Sequence, residues 1–273
     1  MTVRIALAQR AGLPDVAANL TNLLSTMELA ARRGAQVFGV PELALTPFFP
    51  QYRRHDAHRY AEPVPGPTCD VVAARARELG MVTVFNLYEE HEGHFYDSSP
   101  VFDADGTLLG TTRMVHITDY AGFHEREYYH AGDAGAPVYD TAVGRLGVAI
   151  CYDRHYPEYM RALGVRGAQL VVIPQAGSLD EWPEGMYEAE VRAAAFQNGY
   201  FTALCNRVGT EENLTFAGES FVVDPTGEVL ARGRRLEEDL VIVDLDLSAC
   251  ARSPARTLFL RDRRPELYAG WLD

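Results

Sequence analysis

The chain has 273 residues, 47% of them hydrophobic and 23% charged, ordinary values for a globular protein with a sizeable core. Its formal charge of −13 argues against nucleic acid and anionic membranes as partners. All 25 basic residues are arginine, so chemistry that needs a lysine (the P-loop, a Schiff base, a Ser–Lys dyad) is excluded.

Taken in chain order, residues 3–8 are an apolar run that predicts a buried strand. Apolar residues at helical spacing predict a helix over 15–33, with Gly34 at its stop. A second strand over 36–40 ends in Pro41-Glu42. A Pro-rich loop, 61–68, leads to a helix over 70–79, and 81–87 is a third strand. Two extended segments, 96–103 and 108–117, flank the turn Ala104-Asp105-Gly106 and predict a hairpin. A loop rich in Gly and aromatics covers 118–137. Strand 147–150 runs into Cys151, and Pro157 opens a helix over 157–166. Strand 170–174, helix 184–197 and strand 200–206 follow. A second hairpin spans 219–231 around Asp224-Pro225-Thr226-Gly227, and 240–245 is a last strand before an Arg-rich tail. Interleaved βαβ units and hairpins without a composition break predict one domain over 1–273, with 247–273 as its tail. There are too many strands for one covered sheet of ordinary size, so two sheets are expected.

The four cysteines lie far apart with no C-x-x-C pair, which reads as reduced thiols and not as a disulfide frame or zinc site. The N-terminal residues are too mixed for a signal peptide, and no apolar run approaches the roughly 18 residues of a membrane span. The expected compartment is the cytoplasm.

Cys151 stands where an α/β protein would place a nucleophile, at the carboxyl end of a strand and before a helix. A cysteine there is also ordinary packing. Helix start, Arg154 and His155 together predict a lowered thiol pKa. Glu42 also follows a strand directly. Its apolar flanks predict a desolvated carboxylate with a raised pKa, suited to general-base work, against the alternative of a salt-bridged loop glutamate. Glu125, beside Arg126, is either a further site carboxylate or surface charge. His91 and His94 lack helical metal spacing and read as a turn, so neither metal nor cofactor is expected. Aromatic residues including Phe48, Phe49, Tyr52, Phe123 and Trp182 are candidates either for a pocket wall or for core packing.

These segments together carry a resemblance. P-E-L at 41–43, R-M-V-H-I-T-D at 113–119, G-F-H-E at 122–125, A-I-C-Y-D at 149–153, N-R-V-G at 206–209, and G-E-S-F at 218–221 leading to D-P-T-G look like the nitrilase, or carbon–nitrogen hydrolase, superfamily. Among its branches the chain is most similar to the N-carbamoyl amide hydrolases, which include β-ureidopropionase and N-carbamoylputrescine amidase. The resemblance implies an α/β fold, a four-layer αββα sandwich with two mixed β-sheets between helix layers. It also implies cysteine-dependent hydrolysis of a non-peptide C–N bond in a small linear amide or N-carbamoyl amine, through a thioester. Glu42 would be the base, Cys151 the nucleophile, Glu125 the supporting glutamate and the Tyr152 backbone N–H an oxyanion donor. The family lysine stands two residues before the histidine of the 113–119 segment, and here that position is Met114. If 108–117 is extended, side chains alternate. Arg113 then points away from the Met114 face and His116 shares it, which makes His116 the first candidate for a substitute cation. A second reading, supported by Met114, is a catalytically weakened relative that binds a small nitrogenous ligand as a sensor or partner protein. A redox thiol protein is disfavoured, since Cys151 has no resolving cysteine nearby in sequence. Family members usually assemble as homodimers or larger oligomers. Residues 155–166, 182–197 and the tail are the candidate contacts here.

Overall fold

The computed structural model describes residues 2–54 and 56–271. In chain order, β1 (Thr2–Gln9), β2 (Val37–Gly39), β3 (Val82–Val84), β4 (Leu87–His91), β5 (His94–Phe102) and β6 (Leu108–Arg113) build a first sheet. β7 (Val138–Thr141), β8 (Gly144–Val148), β9 (Leu170–Gln175) and β10 (Phe201–Asn206) begin a second. β11 (Val208–Thr210) and β12 (Thr215–Ala217) form a small ribbon. β13 (Phe221–Val223) and β14 (Val229–Arg232) complete the second sheet, and β15 (Asp239–Asp246) returns to pair antiparallel with β1. β1–β2–β3 and β8–β9–β10 are parallel runs, and hairpins complete both mixed sheets.

Period-two alternation sorts the side chains into layers. From β1, Val3, Ile5 and Leu7 enter a core shared with Leu146 and Val148 of β8, Val172 of β9 and Ala203 of β10; this core lies between the sheets. Ala6 and Ala8 point the other way, toward Leu23 and Met27 of α1 (Val16–Arg32) and Val72 and Ala76 of α2 (Pro67–Leu79). Val171 and Ile173 meet Leu163 of α3 (Pro157–Val165) and Val191 and Ala195 of α4 (Met186–Asn198). Three cores between four layers make the expected αββα sandwich. The helices start and stop where local chemistry dictates. Asp15 accepts hydrogen bonds from the Ala17 and Ala18 N–H groups, Pro67 and Pro157 open α2 and α3, and Gly80, at φ +61°, ends α2.

The predicted strand over 81–87 divides at Phe85-Asn86 into β3 and β4. The second arm of the first hairpin stops at Arg113 instead of 117, because the next backbone groups find other partners. The Met114 carbonyl accepts from the Gly132 N–H at 2.7 Å, and the Asp153 carboxylate takes the N–H groups of Val115 and His116. The strict alternation that would place His116 on the Met114 face therefore ends before it. Strand β7 and the β11–β12 ribbon lie in segments with no predicted strand. No helix among the described residues is long and apolar enough to cross a membrane. Residues 1, 55, 272 and 273 of the predicted domain and tail lie outside the described residues.

Candidate active site

Glu42 and Cys151 follow strands of different sheets, β2 and β8, so their meeting place is the end of the inter-sheet layer. Each is held by its backbone. Leu43, at φ +48°, donates its N–H to Asn86 Oδ1 at 2.6 Å. Arg207, fully buried, donates from Nη1 to the carbonyls of Glu42 and Leu43 at 3.1 and 2.8 Å. Its Nη2 donates to the Thr46 carbonyl and to Glu211. The N-R-V-G segment thus fixes the main chain around Glu42, while its Asn206 ties down Gly177 and Gly218.

Cys151 opens a short 3₁₀ turn, Cys151–His155, at φ +41°. A non-glycine residue held there costs about 1–3 kcal/mol. Surrounding bonds hold it in place: Arg154 Nη1 donates to the Cys151 carbonyl and to Gln175 Oε1, both at 2.9 Å. The sharp turn aims the thiol back across the end of the sheets at Glu42. Glu125 arrives from a third element, the 3₁₀ turn Glu125–Glu127, with Phe123 packed in the core before it.

Glu42, Glu125 and Cys151 are buried, and one donor atom from each lies within 4.8 Å of the others. Both carboxylate oxygens of Glu42 and of Glu125 are buried without a hydrogen-bond partner. Burial, and then the nearby charge of Glu125, push Glu42 up to about 8. Glu125 is raised by burial and by Asp97. Cys151 is also raised, first by burial and then by Glu42 and Glu125, with Arg154 opposing. This corrects the expectation of a lowered thiol pKa. The helix start supplies less than the two carboxyls take away, and the His155 ring is turned to Glu190 at 2.7 Å. A thiol raised in this way needs a neighbouring base before it can act as a nucleophile. Three donors at this spacing could approach a metal shell, and the same spacing suits a thiol beside a base.

Met114 is fully buried beside the trio's strand elements. Its N–H donates to the Asp97 carbonyl at 2.9 Å. Arg113 does face away from it, forming a two-pronged ion pair with Glu89 at 2.6 and 2.8 Å. The His116 ring meets Asp153 at 2.7 Å and stacks on Tyr156 at 3.5 Å between centroids. The cations acting on the trio are instead Arg154, on Cys151, and Arg207, on Glu42. Tyr152, second in the nucleophile turn, packs its ring near Tyr120 and His155. Of the candidate wall aromatics, Phe48 and Phe123 meet edge to face at 5.5 Å, and Phe49 is enclosed by Tyr88 and Tyr128. Trp182 packs with Tyr120 and His155. Two residues escaped sequence reasoning: Asp97 and Asn86. Asn86 Nδ2 donates to Asp97 Oδ1 at 2.7 Å, Asn86 Oδ1 accepts from the Leu43 N–H beside Glu42, and Asp97 Oδ2 is buried without a partner. The available signal was an ionisable residue on the inward face of a strand otherwise occupied by Ser99 and Val101.

The geometry has counterparts in known proteins. The carbon-nitrogen hydrolase family matches residues 4–255. The N-carbamoylputrescine amidase of Solanum lycopersicum is 32% identical over 97% of this chain and 93% of its own length. The citrullinase of Francisella tularensis is 30% identical over 97% of this chain and 96% of its own. Among solved structures, the carbon-nitrogen hydrolase of Helicobacter pylori G27 superposes with a TM-score of 0.94 at 28% identity, covering 100% of this chain and 99% of that one. A mutant of the amidase from Nesterenkonia sp. AN1, which shows the result of Michael addition of acrylamide at its active-site cysteine, gives 0.85 at 30% identity over 99% and 100%. On the match across nearly its whole length, this chain belongs to the carbon–nitrogen hydrolase family.

Proposed function

We propose that the protein hydrolyses a C–N bond of a small linear amide or N-carbamoyl amine through a thioester on Cys151. One observation carries this: a buried thiol within 4.8 Å of a buried glutamate carboxyl, which burial pushes up to about 8, a value suited to a general base. Ionised Glu42 takes the Cys151 proton as sulfur attacks the carbonyl or carbamoyl carbon. The oxyanion is received by backbone N–H groups, that of Tyr152 in particular. Protonated Glu42 returns its proton to the leaving nitrogen. Water, deprotonated by Glu42, then cleaves the thioester and frees the thiol. Glu125, buried with the other two, forms the third side of the trio. The amidase and N-carbamoyl relatives support this substrate class. Ammonia release across a panel of ω-amides and N-carbamoyl amines, with mass spectrometry of Cys151 after rapid quench, tests it. No turnover and no acyl adduct for any member would refute it.

Met114 favours a second reading, a weakened relative that binds a nitrogenous ligand. Calorimetric binding of a panel member without turnover would support that reading. We further infer a homodimer or larger assembly through α3, α4 and the C-terminal segment, where Val165, Phe196, Leu258, Phe259 and Trp271 are exposed and Phe196 meets Phe259 at 5.4 Å. Sedimentation as a monomer at micromolar concentration would exclude it. The four unpaired cysteines fit the reducing cytoplasm, which cell fractionation checks.

A further inference from the structure

We propose that His94, His130 and His91 form a binding site for a divalent transition metal, zinc above all, which ties the loop carrying Glu125 to the tip of the β4–β5 hairpin. The inference is independent of the reaction at Cys151. Its ground is a close approach of two ring nitrogens. His94 Nδ1 and His130 Nε2 lie 3.2 Å apart, with the rings inclined at 69° and their centroids 4.5 Å apart. Two imidazole nitrogens bound to one tetrahedral zinc at about 2.0–2.1 Å stand about 3.3 Å from each other. The pair is thus at ligand spacing already.

The backbone holds the rings there. β4 and β5 are joined by the two-residue turn Glu92-Gly93, at φ +53° and +80°, the conformation of a tight hairpin. His91 and His94 flank this turn and pair across it, so their side chains leave the same face of the ribbon. All three histidines are exposed, and the His91 side chain reaches the pair by rotation about its own bonds. His130 comes from 36 residues further along the chain, which is why the sequence around His91 and His94 reads only as a turn. It closes the Glu125 turn: the Tyr128 and Tyr129 N–H groups donate to the Glu125 carbonyl at 2.8 and 2.9 Å, and the His130 N–H donates to the Phe95 carbonyl at 2.7 Å. The His130 ring Nδ1 also lies 3.3 Å from that carbonyl. A proton on Nδ1, given to Phe95, leaves a lone pair on Nε2 beside His94, and metal-binding histidines are commonly oriented by such a bond from their other nitrogen. Two neighbouring lone pairs repel unless a proton or a metal ion stands between them. Arg113, stacked on Tyr96 next to His130, has its charge met by Glu89 at 2.6 and 2.8 Å. Imidazole ligands suit zinc and its neighbours in the first transition row.

The experiment uses the full-length protein without an affinity tag. A second set of convergent donors, Glu42, Glu125 and Cys151, lies within 4.8 Å. C151A is therefore introduced throughout, to keep the thiol from taking the metal. Zn²⁺ alone is titrated calorimetrically into C151A and into C151A carrying H91A, H94A or H130A. C151A is expected to bind one equivalent, and each histidine variant to lose at least about tenfold in affinity, the smallest loss usual even for residues that only support a ligand. Hydrogen exchange over residues 125–130 is expected to slow on adding Zn²⁺ and to recover with EDTA. No zinc binding by C151A, or equal binding by H94A and H130A, would overturn the proposal. Equal binding by H91A would remove the third ligand and overturn the site as a three-histidine one. The histidines are exposed, so the variants are expected to fold. Thermal midpoints without metal check this, and glutamine replaces alanine in any variant that fails.

Discussion

Two buried glutamates in the first-sheet half of this molecule are treated in opposite ways. Glu89, on β4, is closed by a two-pronged ion pair with Arg113 and by the Ser98 hydroxyl. Glu42, at the end of β2, has carboxyls and a thiol for neighbours, and it is raised to about 8. The strands responsible are the same. On the β5–β6 pair, Ser98 and Arg113 face Glu89, while their chain neighbours Asp97 and Met114 take the other face, Met114 entering the inter-sheet core. A shift of one residue along a pleated strand changes the face and with it the charge environment. The lesson is that a buried carboxylate stays a structural anion where a cation neutralises it and is pushed toward its acid form where its neighbours are other acids.

That contrast can be broken from either side. The largest effect is expected for E42Q, which removes the base: kcat falls by about 10²–10⁴-fold while the unfolding midpoint holds or rises, as steady-state kinetics and thermal denaturation would show. M114K brings to the Glu42 side the cation that Arg113 supplies to Glu89. It is expected to raise kcat by up to about 10²–10³-fold and to move the acid limb of the rate profile below that of the parent. An unchanged profile would mean that the ammonium does not reach the trio. E89Q is the mirror experiment. It leaves Arg113 without its buried anion and is expected to cost about 3–5 kcal/mol in urea unfolding, with the pH profile of Cys151 alkylation unmoved.

Stability against pH should separate the two environments further. The folded state holds the Glu42 proton more tightly than the unfolded chain, whose glutamate titrates near 4.5. Between pH 4.5 and about 8 the native state therefore binds more protons, and its stability is greatest below that window and falls as pH rises through it. E42Q is expected to flatten this slope in denaturation experiments repeated at pH 5, 7 and 9. The smallest effect is expected for H116A. The His116 ring is engaged by Asp153 and Tyr156, so its loss should cost about 1–2 kcal/mol of stability and less than tenfold in kcat. A larger drop in kcat would restore His116 as the substitute cation.

Much of the fold was legible because long apolar runs and their periods are local signals. β1, α1, β9, β10 and β15 were all expected near their observed places. β7, β11 and β12 were not, since three- or four-residue strands exist through their partners more than through their own composition. Cys151, Glu42 and Glu125 could be singled out as candidates because each sits at the edge of an apolar segment or in a distinctive motif. Asp97 could not, because its meaning depends on which strand end lies opposite it.

What the amino-acid order determined by itself is therefore the layered architecture, the family, the candidate nucleophile and base, and the absence of any lysine to serve them. Periodicity, caps and residue identity are properties of neighbouring residues, and they survive without knowledge of the fold. What only the tertiary structure decided is the charge state of the site. The direction of the thiol's shift, the turning of His155 to Glu190 and His116 to Asp153, and the clustering of Glu42, Glu125 and Cys151 all depend on groups tens of residues apart. Desolvation and through-space charge act over a few ångströms of space, not of sequence, and here they set the chemistry.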